Sequence, residues 1–468
     1  MRSVTALLSL AFIAGCSFAP AHVRPELASA PVYPADYAGD SLAGERATAI
    51  GWRDFIEDER LEVLIDSALT NNRDLAVALA RVEEARGFYR IQGADRLPTV
   101  GVFGDASRNR AGAASQGAGG AGESVTFDRY SLGVGVSGFE LDFWGRVRNL
   151  SEAARSRFLS TVQAQRAFRL SLIRQVTATY LASLEAAERI QLAEATVASR
   201  REGLEIARVR FEAGITSALD FRQAESLLTQ AEAELAALRL TRARTANALA
   251  VLVGGSVDGE LPQPRPLTEQ LSDRTLAAGL PSELLVARPD IIAAEEELRA
   301  TRADIGAARA AFFPTISLTG SLGYASGELS DLLGEDGLTW SFGPSVNLPI
   351  FDNGRRRGNL AVAEAREDAA IAGYERTIQA AFQEVADALA GRRYLAEQAE
   401  AQVRTTEAQR EIAELARTRY EEGVVNYLQV LDAERNLFAA EQALLQLRRV
   451  EADNLISLYV ALGGGMIE

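Results

Sequence analysis

The chain repeats itself, and this internal repeat constrains its fold more than any other feature of the sequence. The segment Ala207–Gly214, ARVRFEAG, is echoed by Ala416–Gly423, ARTRYEEG. Other identical pairs lie at the same spacing along the chain: Leu219 and Leu428, Gly254 and Gly463, and Gly145 and Gly354. The chain therefore contains two copies of one unit, and each copy is predicted to run helix, two strands, long helix, hairpin turn, helix.

The predicted strands alternate between apolar residues and small polar ones, as in Thr315–Tyr324 and Thr339–Ile350. In the first copy the alternation slips at Gly138, which predicts a β-bulge. A half-buried soluble sheet usually carries Lys and Glu on its solvent face, whereas the polar face here is small, neutral and hydroxylated. We therefore favour a transmembrane β-barrel around a water-filled lumen over a soluble sheet.

The helices are long. Arg146–Phe211 contains no proline and one internal glycine, Gly203, so it is predicted to be one helix of about 65 residues and roughly 100 Å. Arg356–Glu421 is its counterpart in the second copy. The remaining helices are predicted near Phe55–Ala94, Ser217–Leu252, Ser282–Ala310 and Tyr427–Leu462. Two of these shorter helices stacked end to end match one long helix, which would build a tube with walls of even height. The last helix carries a coiled-coil seam, because apolar residues recur at every seventh position from Leu431 to Tyr459.

Two glycines mark the tips of the helical hairpins. Gly214 and Gly423 each follow a long helix, and glycine readily adopts the left-handed conformation that ends helices. Ser217 and Asn426 follow at positions where they are expected to cap the next helix.

The beginning of the chain is predicted to be a targeting segment. Residues 1–15 contain Arg2 and a short apolar run, which is typical of a secretion signal. The only cysteine, Cys16, ends the sequence FIAGC, which resembles the bacterial lipobox. We expect Cys16 to carry S-diacylglycerol and an N-acyl chain, and this lipid anchors a protein stably in a membrane.

The domain boundaries follow from the repeat. Residues 16–54 form the lipid-anchored N-terminal segment, the first repeat covers 55–253, and the second covers 282–468. The connector at 254–281 contains a stiff proline-rich stretch. The strands are expected near 98–108, 127–143, 314–324 and 338–351.

Composition excludes several classes of function. The single histidine, His22, and single cysteine both lie near the N-terminus, so the body of the chain lacks the residues for Ser-His-Asp or Cys-His catalysis and for a His/Cys zinc site. A net charge of −15 disfavours nucleic-acid binding. We expect no enzyme activity, no catalytic residues, no metal site and no cofactor besides the covalent lipid.

At this point the chain resembles the TolC/OprM-type outer-membrane efflux family, in its lipoprotein branch called NodT-like. The resemblance covers nearly all of the mature chain. Its most specific pieces are the lipobox, Gly279–Leu285 running into Arg288–Ile291, Phe312–Pro314, the two tip motifs and Ala461–Gly465. It implies a mainly α fold with a transmembrane β-barrel: a homotrimer that forms one twelve-stranded barrel and an α-helical coiled-coil tunnel.

The resemblance also implies a function and partners. The chain is expected to be a passive export duct for small molecules, anchored in the Gram-negative outer membrane and extending into the periplasm. It would work with a periplasmic adaptor protein and an inner-membrane pump. A type I protein-secretion duct and a structural trimeric coiled-coil spacer of the envelope remain the alternatives.

Site residues are implied by match to the family. Six residues match its adaptor-docking tips: Arg210, Gly214, Leu219, Arg419, Gly423 and Leu428. Four match its periplasmic gate: Asp220, Arg419, Tyr420 and Asp432. We expect Asp220 to pair with Arg419 or Tyr420 and Asp432 to line the mouth, although a role as solvated helix-start residues stays open for both aspartates. Some relatives carry an Arg and an Asp where this chain has Val425 and Gln429, which predicts a weaker latch.

Overall fold

The computed structural model describes residues 18–25, 33–34, 36, 44–112, 124–256, 261–272, 274–277, 279 and 283–467. The predicted signal peptide at 1–15 and the predicted lipid site at Cys16 therefore lie outside the described residues.

The described residues form nine α-helices and six strands in chain order. The helices are α1 Trp52–Phe55, α2 Glu59–Asn71, α3 Arg73–Ala94, α4 Arg146–Glu212, α5 Ala218–Val253, α6 Leu284–Ala287, α7 Pro289–Ala310, α8 Arg355–Glu421 and α9 Tyr427–Ala461. The strands are β1 Glu45–Arg46, β2 Val100–Ala111, β3 Val125–Glu140, β4 Leu276–Ala277, β5 Thr315–Ser326 and β6 Leu338–Asn347. The order helix, two strands, long helix, helix occurs twice, which confirms the repeat.

The chain divides into two compact units, and each unit takes segments from both repeats. The first comprises Met1–Glu26, Val82–Thr161 and Ala294–Tyr374, and the second Leu27–Arg81, Val162–Ala293 and Glu375–Glu468.

The first unit contains a four-stranded antiparallel sheet in the order β2-β3-β5-β6. Its register shifts between Val136 and Phe139 of β3, where Gly138 has a φ of +67°. This confirms the predicted bulge, because the extra residue at Gly138 returns Phe139 to the face that the alternation requires. Strands β2 and β6 form the two edges of the sheet.

The second unit is built around a buried apolar core. Phe55 stacks on Tyr459 with ring centroids 4.1 Å apart, and the Tyr459 hydroxyl donates to the carbonyl of Ile50 over 2.7 Å. Because this hydrogen bond gives the phenolic hydroxyl a partner, the large Tyr459 ring is buried without leaving its polar group unpaired. A small parallel bridge of β1 and β4 belongs to the same unit.

Two predicted helices are broken in the structure. The helix predicted over Phe55–Ala94 is interrupted before α2, where Asp58 accepts from the backbone N–H of Arg60, and again at Asn72, whose side chain accepts from Leu75 N–H. These side chains satisfy backbone donors at new helix starts, which pattern alone does not reveal.

The prediction of one continuous helix over Ser282–Ala310 was also wrong, because the structure has two helices there, α6 and α7. It breaks at Arg288, which is extended, with φ −91° and ψ 122°. Pro289 follows Arg288 and disfavours helical geometry in the residue before it.

Among the described residues, no helix has both the length and the apolar character needed to cross a membrane.

Candidate functional site

The turns of the two helical hairpins in the second unit have the same local geometry. Gly214 has a φ of +68° and Gly423 a φ of +76°, which confirms the predicted left-handed helix ends. The N–H of Ile215 donates to the Arg210 carbonyl over 2.8 Å, and the N–H of Val424 donates to the Arg419 carbonyl over 2.9 Å. The repeat therefore builds each tip in the same way, with glycine at the position that L side chains rarely adopt.

The helices after the turns begin at the predicted caps. The Ser217 hydroxyl accepts from the backbone N–H of Asp220 over 3.2 Å, and Asn426 accepts from Gln429 N–H over 3.3 Å. In return the Asp220 carboxylate accepts from the Thr216 hydroxyl, the Ser217 hydroxyl and the Ser217 N–H, at 2.7, 2.8 and 3.2 Å. These hydrogen bonds, above all the one from Thr216, lower the pKa of Asp220.

The pairing predicted for Asp220 is therefore not formed within one chain. Its carboxylate is engaged with Thr216 and Ser217 and not with Arg419 or Tyr420. The physical reason is proximity. The capping box supplies hydrogen-bond donors to the Asp220 carboxylate from neighbouring residues, so no distant segment has to be ordered to pair with it. The helix-start interpretation of Asp220 is the one this geometry favours.

Tyr420 is instead contacted by Arg210. The guanidinium carbon of Arg210 lies 5.1 Å from the centroid of the Tyr420 ring, which is cation–π distance. Tyr420 also meets Tyr427, with centroids 5.1 Å apart and the rings tilted by 45°. Arg210 of the first hairpin thus contacts Tyr420 of the second, and Tyr420 in turn packs against Tyr427.

Gly203 completes this cluster. A Cβ at Gly203 would collide with the Tyr427 hydroxyl, so the single internal glycine of α4 leaves room for that side chain. Burial raises the pKa of Tyr427. We call Arg210, Tyr420, Tyr427 and Gly203 the aromatic latch. Sequence reasoning assigned Arg210 to docking and noticed Gly203 only as a helix residue.

The other predicted gate residues are solvent-accessible in the single chain. Asp432 pairs with Arg435 one turn later over 3.0 Å, and half of its side chain is exposed. Arg419 is exposed, and its backbone carbonyl closes the turn. The structure thus brings together Tyr420 and Arg210, while Asp220, Arg419 and Asp432 make separate local contacts.

The tips carry an exposed apolar surface. Of the predicted docking residues, Leu219 is 65% exposed and Leu428 is 38% exposed. Ile215 and Val424, directly after the tip glycines, are 70% and 60% exposed and were missed by sequence reasoning. The repeat itself offered the signal, since an apolar residue follows the glycine in both copies. Four apolar side chains therefore stand free at the tips, as expected of a docking surface.

A cleft between the hairpins contains a buried arginine. Arg200 is buried, donates to the Leu227 carbonyl over 2.8 Å, and places its guanidinium 5.5 Å from the Phe438 ring centroid. Burial lowers its pKa. The cleft encloses about 270 Å³, and its polar lining includes Arg410, Glu414 and Glu434. Arg200 was missed because an arginine on a helix is ordinarily a surface residue.

The sheet of the first unit has two chemically different faces. On one face, apolar side chains are open to solvent in the single chain: Val102 is 78% exposed, Trp340 73% and Phe342 66%. On the other face, hydroxyl groups pair across the strands. The Ser317 hydroxyl lies 2.7 Å from that of Ser345, and the Ser321 hydroxyl lies 2.7 Å from that of Ser341. This confirms the predicted alternation.

Comparison with known proteins gives consistent matches over nearly the whole chain. A family model described as outer membrane efflux protein matches residues 64–255 and 280–464, one range in each repeat. The cation efflux system protein CusC of Escherichia coli is 40% identical over 97% of this chain and 96% of its own length. The solvent efflux pump outer membrane protein SrpC of Pseudomonas putida is 40% identical over 98% of this chain and 97% of its own.

A solved structure also aligns with this chain over nearly its whole length. The open state of the Neisseria gonorrhoeae MtrE outer membrane channel aligns with a TM-score of 0.87 at 38% identity, covering 97% of this chain and 99% of that one.

Proposed function

This chain belongs to the outer membrane efflux protein family, and from that premise we propose that three copies of it form a passive duct for small molecules. Membership makes it the outer-membrane channel component of an efflux system. The trimer, the partners and the cargo are the parts that we propose.

The observation that carries the proposal is the two-faced, open sheet. Its apolar face exposes Trp340, Phe342 and Val102, which suits lipid, and its other face carries the serine pairs, which suits water. Four strands with two free edges cannot stay in a bilayer, because unpaired backbone groups are costly there. Three chains supply twelve strands, which close into a barrel and leave no edge.

The hairpin tips support a partnership with a periplasmic adaptor protein, and through it with an inner-membrane pump. Ile215, Leu219, Val424 and Leu428 expose apolar surface at the end of the long helices. Such a cluster favours burial against another protein. Lipid attached at Cys16 would hold the assembly to the outer membrane.

The cargo class follows from the relatives. CusC is named for cation efflux and SrpC for solvent efflux, and both are 40% identical to this chain. Equal identity to ducts with different cargo fits a channel that does not select, with the pump choosing the molecule. We therefore propose small molecules as cargo. Protein secretion and a purely structural spacer are the alternatives, and conductance separates the spacer from both ducts.

Drug resistance and conductance test the proposal together. A deletion strain that regains resistance with the wild-type chain should lose it with Gly423→Lys, because a bulky charge disrupts docking at the tip. Gly423→Asn is the matched control, since asparagine tolerates the left-handed backbone. Purified wild-type protein should conduct ions in planar bilayers. A non-conducting trimer would overturn the duct, and full resistance with Gly423→Lys would overturn docking at this tip.

A further inference from the structure

The cleft lined by Arg200 has the features of a ligand site. We propose that it binds a small carboxylate with an aromatic body, whose negative group contacts the Arg200 guanidinium while its ring lies against the apolar side chains of α9. All of the cleft's walls come from one chain and from the second unit, so the site does not depend on the trimer proposed above. It also goes beyond the duct function, because a passive duct needs no bound ligand.

Arg200 is a buried cation without a carboxylate partner. Its exposed fraction is 7%, and within the described part of the chain it forms no ion pair. Burying an unpaired charge is unfavourable, and this burial lowers the pKa of Arg200. The stability of the fold gives no reason to keep the charge in this place, whereas an anionic ligand does.

The acids that line the same cleft are not available to Arg200. Glu434 pairs with Arg417 and Glu441 pairs with Arg410, each over 2.9 Å. The third acid of the lining, Glu414, is exposed and lies outside ion-pair distance of Arg200. Two of the three negative charges are thus neutralised by their own arginines, which leaves the charge of Arg200 for a molecule from outside.

The contacts of Arg200 fix its guanidinium and leave donors free. One nitrogen donates to the Leu227 carbonyl over 2.8 Å, and the guanidinium carbon lies 5.5 Å from the centroid of the Phe438 ring. A guanidinium has five N–H donors, and none of the other Arg200 nitrogens is sealed off from solvent. Because Arg200 lines the cleft, these donors are reachable from it. A planar fork held in this way suits the two oxygens of a carboxylate.

The rest of the cleft indicates the body of the ligand. Beside Phe438 the lining includes Leu437, Ala413 and Ala195, which offer an apolar surface next to the guanidinium. The volume of about 270 Å³ lies just below the range that ordinarily holds drug-sized molecules. The cleft therefore selects a carboxylate on a small ring system over a long chain or a large drug.

The other hairpin does without this arginine. At the spacing that relates Gly214 to Gly423, the counterpart of Arg200 is Gln409 and the counterpart of Phe438 is Thr229. Both hairpins nevertheless form, and their turns have the same geometry. An arginine at this position is thus not required to build a helical hairpin, which favours a role for Arg200 in binding.

Ligand-observed NMR on the purified full chain tests the site, with naphthoate as the probe. Saturation transfer to naphthoate should give a measurable dissociation constant for wild type, and Arg200→Met should weaken binding about tenfold or more, because the donors to the carboxylate are lost. Naphthylmethylammonium has the same rings with the opposite charge and should not bind the cleft. The matched control is Arg201→Met, because the exposed Arg201 pairs with Glu232 over 3.1 Å and should not affect the site. Partition of the probe into detergent is the same for all variants and cancels.

Thermal unfolding separates loss of the ligand from loss of the fold. Arg200→Met should unfold at or above the wild-type midpoint, because it removes an unpaired buried charge and the Leu227 carbonyl keeps its bond within α5. Naphthoate should raise the midpoint of wild type and not that of Arg200→Met. Arg200→Lys keeps the charge without the fork, so it should weaken binding by about threefold or more even if Arg200→Met fails to fold.

Three results would overturn the proposal. The first is naphthoate binding to Arg200→Met as tightly as to wild type. The second is equal weakening by Arg201→Met, which would mean that surface charge alone attracts the probe. The third is no binding to wild type together with a lowered midpoint in Arg200→Met, which would assign Arg200 to packing between the hairpins.

Discussion

Arg210 of the first hairpin lies over the ring of Tyr420 in the second, with its guanidinium carbon 5.1 Å from the ring centroid. The contact joins the two tips of one chain through the face of the ring and not through the phenolic hydroxyl. Within the same chain the Asp220 carboxylate accepts from Thr216 and Ser217 and does not contact Tyr420.

The first prediction separates ring from hydroxyl at this contact. If the aromatic latch holds the mouth closed, Tyr420→Phe should conduct like wild type in planar bilayers, while Tyr420→Ala and Arg210→Ala should open more often. A cation–π contact at an exposed site contributes about 0.5–1 kcal/mol, which corresponds to roughly a two- to fivefold change in the open-to-closed ratio. Equal opening by Tyr420→Phe and Tyr420→Ala would show that the hydroxyl holds the mouth.

The second prediction concerns Asp432. Three such carboxylates around a narrow axis would concentrate negative potential and attract cations. Asp432→Ala should therefore weaken block by divalent cations added from the side of the hairpin tips. Glu194→Ala is the matched control, because Glu194 is an exposed acid paired with Arg239 along the first hairpin. Unchanged block in Asp432→Ala would remove Asp432 from the mouth.

The third prediction tests the fit of Tyr427 against Gly203. Gly203→Ala should lower the thermal midpoint, because the added methyl collides with the Tyr427 hydroxyl and overpacking costs about 1–3 kcal/mol. Tyr427→Phe removes that hydroxyl, so the double variant should be at least as stable as Tyr427→Phe alone. Additive losses in the double variant would mean that the two residues do not meet.

The fourth prediction is a pH dependence located at Asp453 on α9. Burial raises the pKa of Asp453 to about 6, although Arg449 beside it opposes the shift. The folded chain then binds a proton that the unfolded chain releases near pH 4, so stability falls as pH rises from about 4 to 6. Between these two pH values the thermal midpoint of the wild-type chain should fall by about 2–4 °C more than that of Asp453→Asn. Asp387→Asn, at an exposed carboxylate, should keep the slope, and a slope preserved in Asp453→Asn would place its origin elsewhere.

The fifth prediction concerns Cys16, which lies outside the described residues. The mature wild-type protein should carry the mass of S-diacylglycerol and an N-acyl chain, and Cys16→Ser should not. Intact mass spectrometry measures both. A wild-type mass equal to that of an unmodified chain would exclude the anchor.

Much of the fold could be predicted from the sequence because its determinants are local. The left-handed φ of Gly214 and Gly423, the caps at Ser217 and Asn426, and the bulge at Gly138 each depend on a few neighbouring residues. The alternation of apolar and small polar residues in β5 and β6 could also be predicted, because a strand places successive side chains on opposite faces whatever surrounds it.

What only the tertiary structure decided involves partners far apart in the chain. Asp58, which caps the start of α2, also accepts from the Tyr180 hydroxyl over 2.8 Å, and no local pattern predicts that long-range hydrogen bond. Arg200 can be buried because its guanidinium lies over the Phe438 ring and donates to the Leu227 carbonyl. The contact of Arg210 with the Tyr420 ring likewise joins two residues far apart in the chain. Periodicity and capping fix each hairpin, but the contacts between hairpins exist only once packing has brought distant side chains together.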